Sequence, residues 1–167
     1  MCKKKRLFFF TLCIFFNSYA FSEIRTISDS SSDSASIYYK SLKLHLDYVE
    51  RYLTDGPLPP SGYWNIDMEI PSQLSGQLPG QLGHFRISYL NKKEIRARIK
   101  RHRSMYLIRM GQAVVRDGFR IVGIGNFNIT SRRRKLWYGN SGGTTAKFKY
   151  DDACDSFVLV DLQQGSL

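Results

Sequence analysis

The hydrophobic period of this chain changes once, at a run of prolines, and that change constrains the fold more than any other feature. Before it, Tyr38, Leu42, Leu46, Val49 and Leu53 recur every three to four residues, which places them on one stripe of a helix. Asp33 or Ser34 can cap the free amides of the first turn. Gly56 ends the helix, and Pro57, Pro59 and Pro60 forbid its resumption, so the spacing predicts an amphipathic helix over 35–56. After the prolines the period is two. Trp64, Ile66, Met68 and Ile70 fall on one face and Tyr63, Asn65, Asp67 and Glu69 on the other, the pattern of a half-buried strand.

The same alternation recurs through Phe85, Ile87 and Tyr89, and further strands are predicted at 121–130, 136–138, 144–150 and 157–162. Asp117-Gly118 between β-branched runs predicts a tight hairpin, because both central turn positions favour φ > 0. Asn140-Ser141-Gly142-Gly143 is read as another turn, and Gly123 and Gly125 as marks of a strand crossing or bulge. Between the first two strands lies a short quasi-repeat, Ser72-Gln73-Leu74, Gly76-Gln77-Leu78 and Gly80-Gln81-Leu82, too brief for a solenoid. Residues 91–104 fit two descriptions. Asn91-Lys92-Lys93-Glu94 fits a helix capping box. The alternation of Ile95, Ala97 and Ile99 with Arg96, Arg98 and Lys100 fits a strand with one basic face, and the strand-like neighbours favour that reading. The predicted class is α+β: an N-terminal amphipathic helix, then an antiparallel β-meander over 61–167, in a single domain.

The first residues carry an address. Lys3, Lys4, Lys5 and Arg6 precede an apolar run from Leu7 to Phe16, and small residues follow at Ser18, Ala20 and Ser22. This is the pattern of a secretory signal peptide over 1–22, cleaved near Ala20 or Ser22. The run is shorter than the roughly 20 residues a spanning helix needs, and nothing after Phe16 is apolar enough for one. The expected location is periplasmic or secreted. Residues 23–34, rich in Ser and Asp, read as a flexible leader. Cleavage would leave Cys154 as the one cysteine, unable to form an internal disulfide. It is expected either in the core as a small hydrophobe or bridged to a partner, the first being the plainer account.

Charge is distributed unevenly. From Lys92 to Lys135 there are fourteen basic and two acidic residues, a net of +12 in 44 residues, whereas the rest of residues 23–167 carries a net of −5. The densest groups are Arg96, Arg98, Lys100, Arg101, Arg103 and the run Arg132, Arg133, Arg134, Lys135. On a strand Arg96, Arg98 and Lys100 would form a ridge able to attract a polyanion, and the planar arginine fork suits phosphate or carboxylate. Edge-strand protection against aggregation would produce similar charges. These nine residues are the candidate anion-binding set. The partners they suggest are an acidic protein subunit, lipopolysaccharide or another anionic lipid, with nucleic acid also possible. Trp137 and Tyr138 follow the arginine run directly; aromatics beside cations suit membrane interfaces and stacking on bases, and equally a core.

Little in the chain suggests catalysis or a bound metal or cofactor. The three histidines, His45, His84 and His102, have no metal-like spacing, and neither a nucleophile elbow nor a phosphate-binding loop motif occurs. His45 is expected as a half-buried residue of the helix. A small basic domain with a helix before an antiparallel sheet resembles the layout of microbial secreted ribonucleases, and that resemblance implies a carboxylate–histidine pair drawn from Glu69 with His84 or His102. Gly62-Tyr63-Trp64 resembles the Gly-x-Trp of lipocalins, which implies an apolar-ligand barrel; a Trp opening a buried strand after a turn gives the same three residues. The sequence reading favours a non-enzymatic interaction or assembly factor of a bacterial cell envelope, of pilus or secretion-system accessory type, over the ribonuclease-like alternative.

Overall fold

The structure is a computed structural model and describes residues 31–53, 59–132 and 135–165. The signal segment and most of the predicted leader, together with Arg133 and Arg134, lie outside these residues. Helix α1 spans Ser31–Leu53, so residues 31–34 of the predicted leader are already helical. The strands are β1 Trp64–Glu69, β2 Gln81–Leu82, β3 Phe85–Tyr89, β4 Ser104–Met110, β5 Val114–Arg116, β6 Phe119–Arg132, β7 Lys135–Asp151 and β8 Ser156–Gly165. A second helix, α2, spans Lys92–His102 between β3 and β4. All eight strands form one open sheet in the order β2-β3-β1-β4-β6-β7-β8, with β5 paired to part of β6. Among the described residues no helix is long and apolar enough to cross a membrane.

The α+β class stands, but the sheet is mixed rather than a meander. Strand β1 pairs in parallel with β3 on one side and β4 on the other. Parallel neighbours need a crossover, and α2 supplies it on the way from β3 to β4. The open sheet with parallel pairs also removes the lipocalin-like barrel. Trp64 instead starts β1 half-buried, its ring 5.4 Å from that of Phe85.

Residues 91–104 correct the strand reading. Asn91 accepts from the amides of Lys93 and Glu94, and Glu94 reaches back to the Asn91 amide, which completes a capping box. Ile95 and Ile99, four apart, are buried together against Leu90, Leu107 and Ile129. One helical turn separates them, and that packing outweighs the local alternation.

The two helices lie on opposite faces. On β4, Ile108 and Met110 join the main core with α1, while Leu107 joins the small α2 core; neighbouring residues of a strand face opposite ways. The α1 core takes in Ile37, Tyr38, Leu42, Leu46, Tyr48 and Val49. Leu74 and Leu78 of the quasi-repeat are buried in it and Leu82 packs against its edge, so the loop acts as three apolar plugs.

The Asp117-Gly118 turn forms as the sequence predicts, with φ of 52° and 78°. The predicted turn at 140–143 does not form. Residues 135–151 make one strand of 17 residues, and the irregularity is a register shift opposite Gly125 and Phe127. There Gly125, Gly143 and Gly165 pair across three adjacent strands. A Cβ on Gly143 would lie 2.3 Å from the Ile124 carbonyl oxygen, so the close backbone approach, not a chain reversal, requires glycine.

Candidate anion-binding end of the sheet

Because 92–102 is helical, the predicted ridge of Arg96, Arg98 and Lys100 does not exist as drawn. A helix turns successive residues by about 100°, which leaves Arg96 and Lys100 neighbours one turn apart on one side and sends Arg98 to another. Arg98 is turned toward the sheet, where its Nη1 donates to both carboxylate oxygens of Asp67 on β1. Arg96, Lys100 and Arg101 are exposed, as are Lys92 and Lys93. The last turn holds Lys100, Arg101 and His102, where cations offset the negative end of the helix dipole. Arg103 closes the helix with φ 63°.

The fold then brings the end of the first basic group beside the two described members of the second, Arg132 by its backbone and Lys135. The Ser131 amide donates to the Arg103 carbonyl at 3.3 Å, and Ser104 pairs with Thr130. The end of α2 therefore abuts the tip of the β6–β7 hairpin, where Arg132 pairs with Lys135. Lys135 is exposed; the side chain of Arg132 falls outside the described set. The far end of β7 is mixed in sign, since Lys147, Lys149, Arg116 and Arg120 lie there beside an acidic turn. The β7–β8 turn carries Asp151, Asp152 and Asp155, and Tyr150 donates to the Asp155 carboxylate. Cys154 is exposed in this turn, which corrects the expectation of a core cysteine.

The carboxylate–imidazole pair of the ribonuclease-like alternative is not assembled. Glu69 lies 3.2 Å from Arg109 Nε, and His84 Nδ1 lies 2.8 Å from Glu50 on α1. Register places Trp64 beside Phe85 and Glu69 beside Arg109, so His84 and Glu69 sit at opposite ends of β1, roughly 17 Å apart at a strand's rise. His102 precedes β4, whose first residue is five before Arg109, and is no nearer.

His45 is fully buried rather than half-buried. Its Nε2 donates to Asn126 Oδ1 at 3.1 Å, and its Nδ1 accepts from the Thr144 hydroxyl at 3.0 Å. Burial lowers its pKa from 6.5 to about 4, partly opposed by the Asn126 hydrogen bond. The ring is thus a neutral tie between α1, β6 and β7. Its partners lie 81 and 99 residues away, beyond the reach of any local pattern. An open cleft of about 810 Å³ follows the glycine row, lined by Gly123, Asn140, Thr145, Gln163 and their neighbours. Its lining contains no ionisable side chain, so it offers no acid–base chemistry. Among the described residues no cluster of His, Cys, Asp and Glu could hold a metal ion. No family model matches the chain, and neither the curated proteins nor the solved structures contain a match.

Proposed function

We propose that this is an exported, non-enzymatic interaction factor of a bacterial cell envelope, and that the end of α2 and the β6–β7 hairpin dock an anionic partner. The observation that carries this reading is the Ser131–Arg103 contact. It sets the end of α2, with the exposed Arg101 and Arg103, beside the strand end where Lys135 is exposed, and the acidic turn lies at the other end of β7. Exposed cations without acidic neighbours of the density found in the β7–β8 turn would attract a polyanion to this end. The signal-like N-terminus supports an extracytoplasmic site of action, where an acidic subunit of a pilus or secretion machine, or lipid phosphates, are available partners.

The test is retention on immobilised heparin and co-sedimentation with anionic against neutral vesicles across a salt series. Binding that falls steeply with salt is the expected result. Equal, salt-insensitive behaviour on anionic and neutral surfaces would overturn the reading.

A further inference from the structure

The face of the sheet that carries α1 continues beyond the described helix toward the hairpin end, where its residues are exposed. Register defines its layout. Tyr106, Asn128 and Gly139 form one row across β4, β6 and β7, and Ser104, Thr130 and Trp137 form the next. All six are exposed, Trp137 at 60% and Tyr106 at 39%. Lys135, two residues before Trp137, shares its face, and Arg103 directly precedes Ser104. Leu136 packs on the opposite side against the α2 core, and Tyr138 packs there edge-on against Phe127. Tyr106 is partly buried near Tyr48 of α1. The backbone positions of Tyr106 and Trp137 stand roughly 12 Å apart, two strand spacings across and one residue pair along. Between them lie only Asn128, Thr130 and Gly139.

We propose that this platform binds single-stranded nucleic acid, the Trp137 and Tyr106 rings stacking on bases while Arg103 and Lys135 hold the phosphate backbone. The inference rests on the basic-end reading and names the partner for it. Exposed rings on a flat floor beside cations are the general means of holding a single strand, because every base offers a π-face. The alternatives fit less well. In a hairpin that enters a lipid surface the aromatics lead and the cations stay at headgroup level. Here the order is inverted: the Arg132–Lys135 pair is the last of the β6–β7 ladder and Trp137 lies behind it. An acidic sugar polymer needs several polar groups aimed at its hydroxyls, whereas the one amide on this floor, Asn128, already donates to Ser141 Oγ at 3.0 Å.

The experiment is titration of the full chain with a short labelled oligothymidylate, read by anisotropy and by tryptophan fluorescence, beside heparin retention. Wild type is expected to bind with quenching of Trp137. Trp137→Ala should weaken oligonucleotide binding at least about tenfold and Tyr106→Ala by a smaller factor. Trp137→Phe should keep most of the affinity, and heparin retention should be the same in all of them. Trp137 is largely solvent-exposed, so the Trp137 variants keep the fold, and a denaturant melt checks Tyr106→Ala. Heparin retention without oligonucleotide quenching, or equal affinity of wild type and Trp137→Ala, would overturn this inference and leave the basic end standing. A blue shift of Trp137 emission on anionic vesicles, with no effect of oligonucleotide, would overturn it in favour of lipid. Absence of salt-dependent binding to every polyanion would remove the basic-end reading and this inference together.

Discussion

The two helices flank one sheet and do different work. Helix α1 buries six apolar side chains together with Ser41 and His45. Helix α2 buries only Ile95 and Ile99 and displays cations over most of its remaining surface. Burying apolar area stabilises by about 25 cal/mol per Å², so α1 organises the core. Helix α2 is held by two isoleucines, a capping box and the Arg98–Asp67 pair, and its sequence is otherwise free to carry charge. The contrast shows where change is costly and where it is available for recognition.

The largest difference should come from the α1 core. Leu46 is 2% exposed and packed among β-strand residues, so Leu46→Ala should cost about 3 kcal/mol through lost transfer energy and the cavity left behind. Denaturant melts would show it as a lower midpoint at unchanged slope. A loss below about 1 kcal/mol would mean that α1 is not the organising element.

Acid should act on the α1 side almost as strongly. His45 titrates near 6.5 when unfolded and at about 4 when folded. Its folded pKa is depressed, so its contribution is present above 6.5 and is lost as pH falls through 6.5 toward 4. The loss should reach about 3 kcal/mol by pH 4. Denaturant melts at pH 7 and pH 4 measure it, and His45→Gln should remove that part of the pH dependence. An identical pH dependence in the variant would contradict the buried neutral ring.

On the α2 side, Asn91→Ala removes one half of the capping box and should cost about 1 kcal/mol. The same melts would detect it, and a cost as large as that of Leu46→Ala would erase the distinction between the helices.

What was legible in the sequence follows the same division. The α1 stripe and the β1 and β3 alternations could be read because each buries one face over several turns or residue pairs. Residues 92–102 were legible only in part, because Ile95 and Ile99 satisfy a period of two and a period of four alike. The Asn91–Glu94 capping box was the local sign of a helix, and burial against Leu107 and Ile129 decides for it. The 17-residue β7 was hidden by Gly142-Gly143, which read as a turn but serves a close approach between strands. The parallel pairing of β1 with β4 depends on a crossover helix that was itself misread. For the site, the charge imbalance was plain. Its gathering at one end was not, because the Ser131–Arg103 contact is non-local.

The central claim is that the end of α2 and the hairpin form the binding surface while the acidic turn does not. The most direct measurement is the salt dependence of heparin affinity for two variants of the full chain. One changes Arg96, Lys100, Arg101, Arg103 and Lys135 to Ser, and the other changes Asp151, Asp152 and Asp155 to Asn. The first should lose most of the affinity and flatten the slope of log affinity against log salt. The second should bind as tightly as wild type or more so, with a slope at least as steep. Equal affinities and slopes in the two variants would contradict the account.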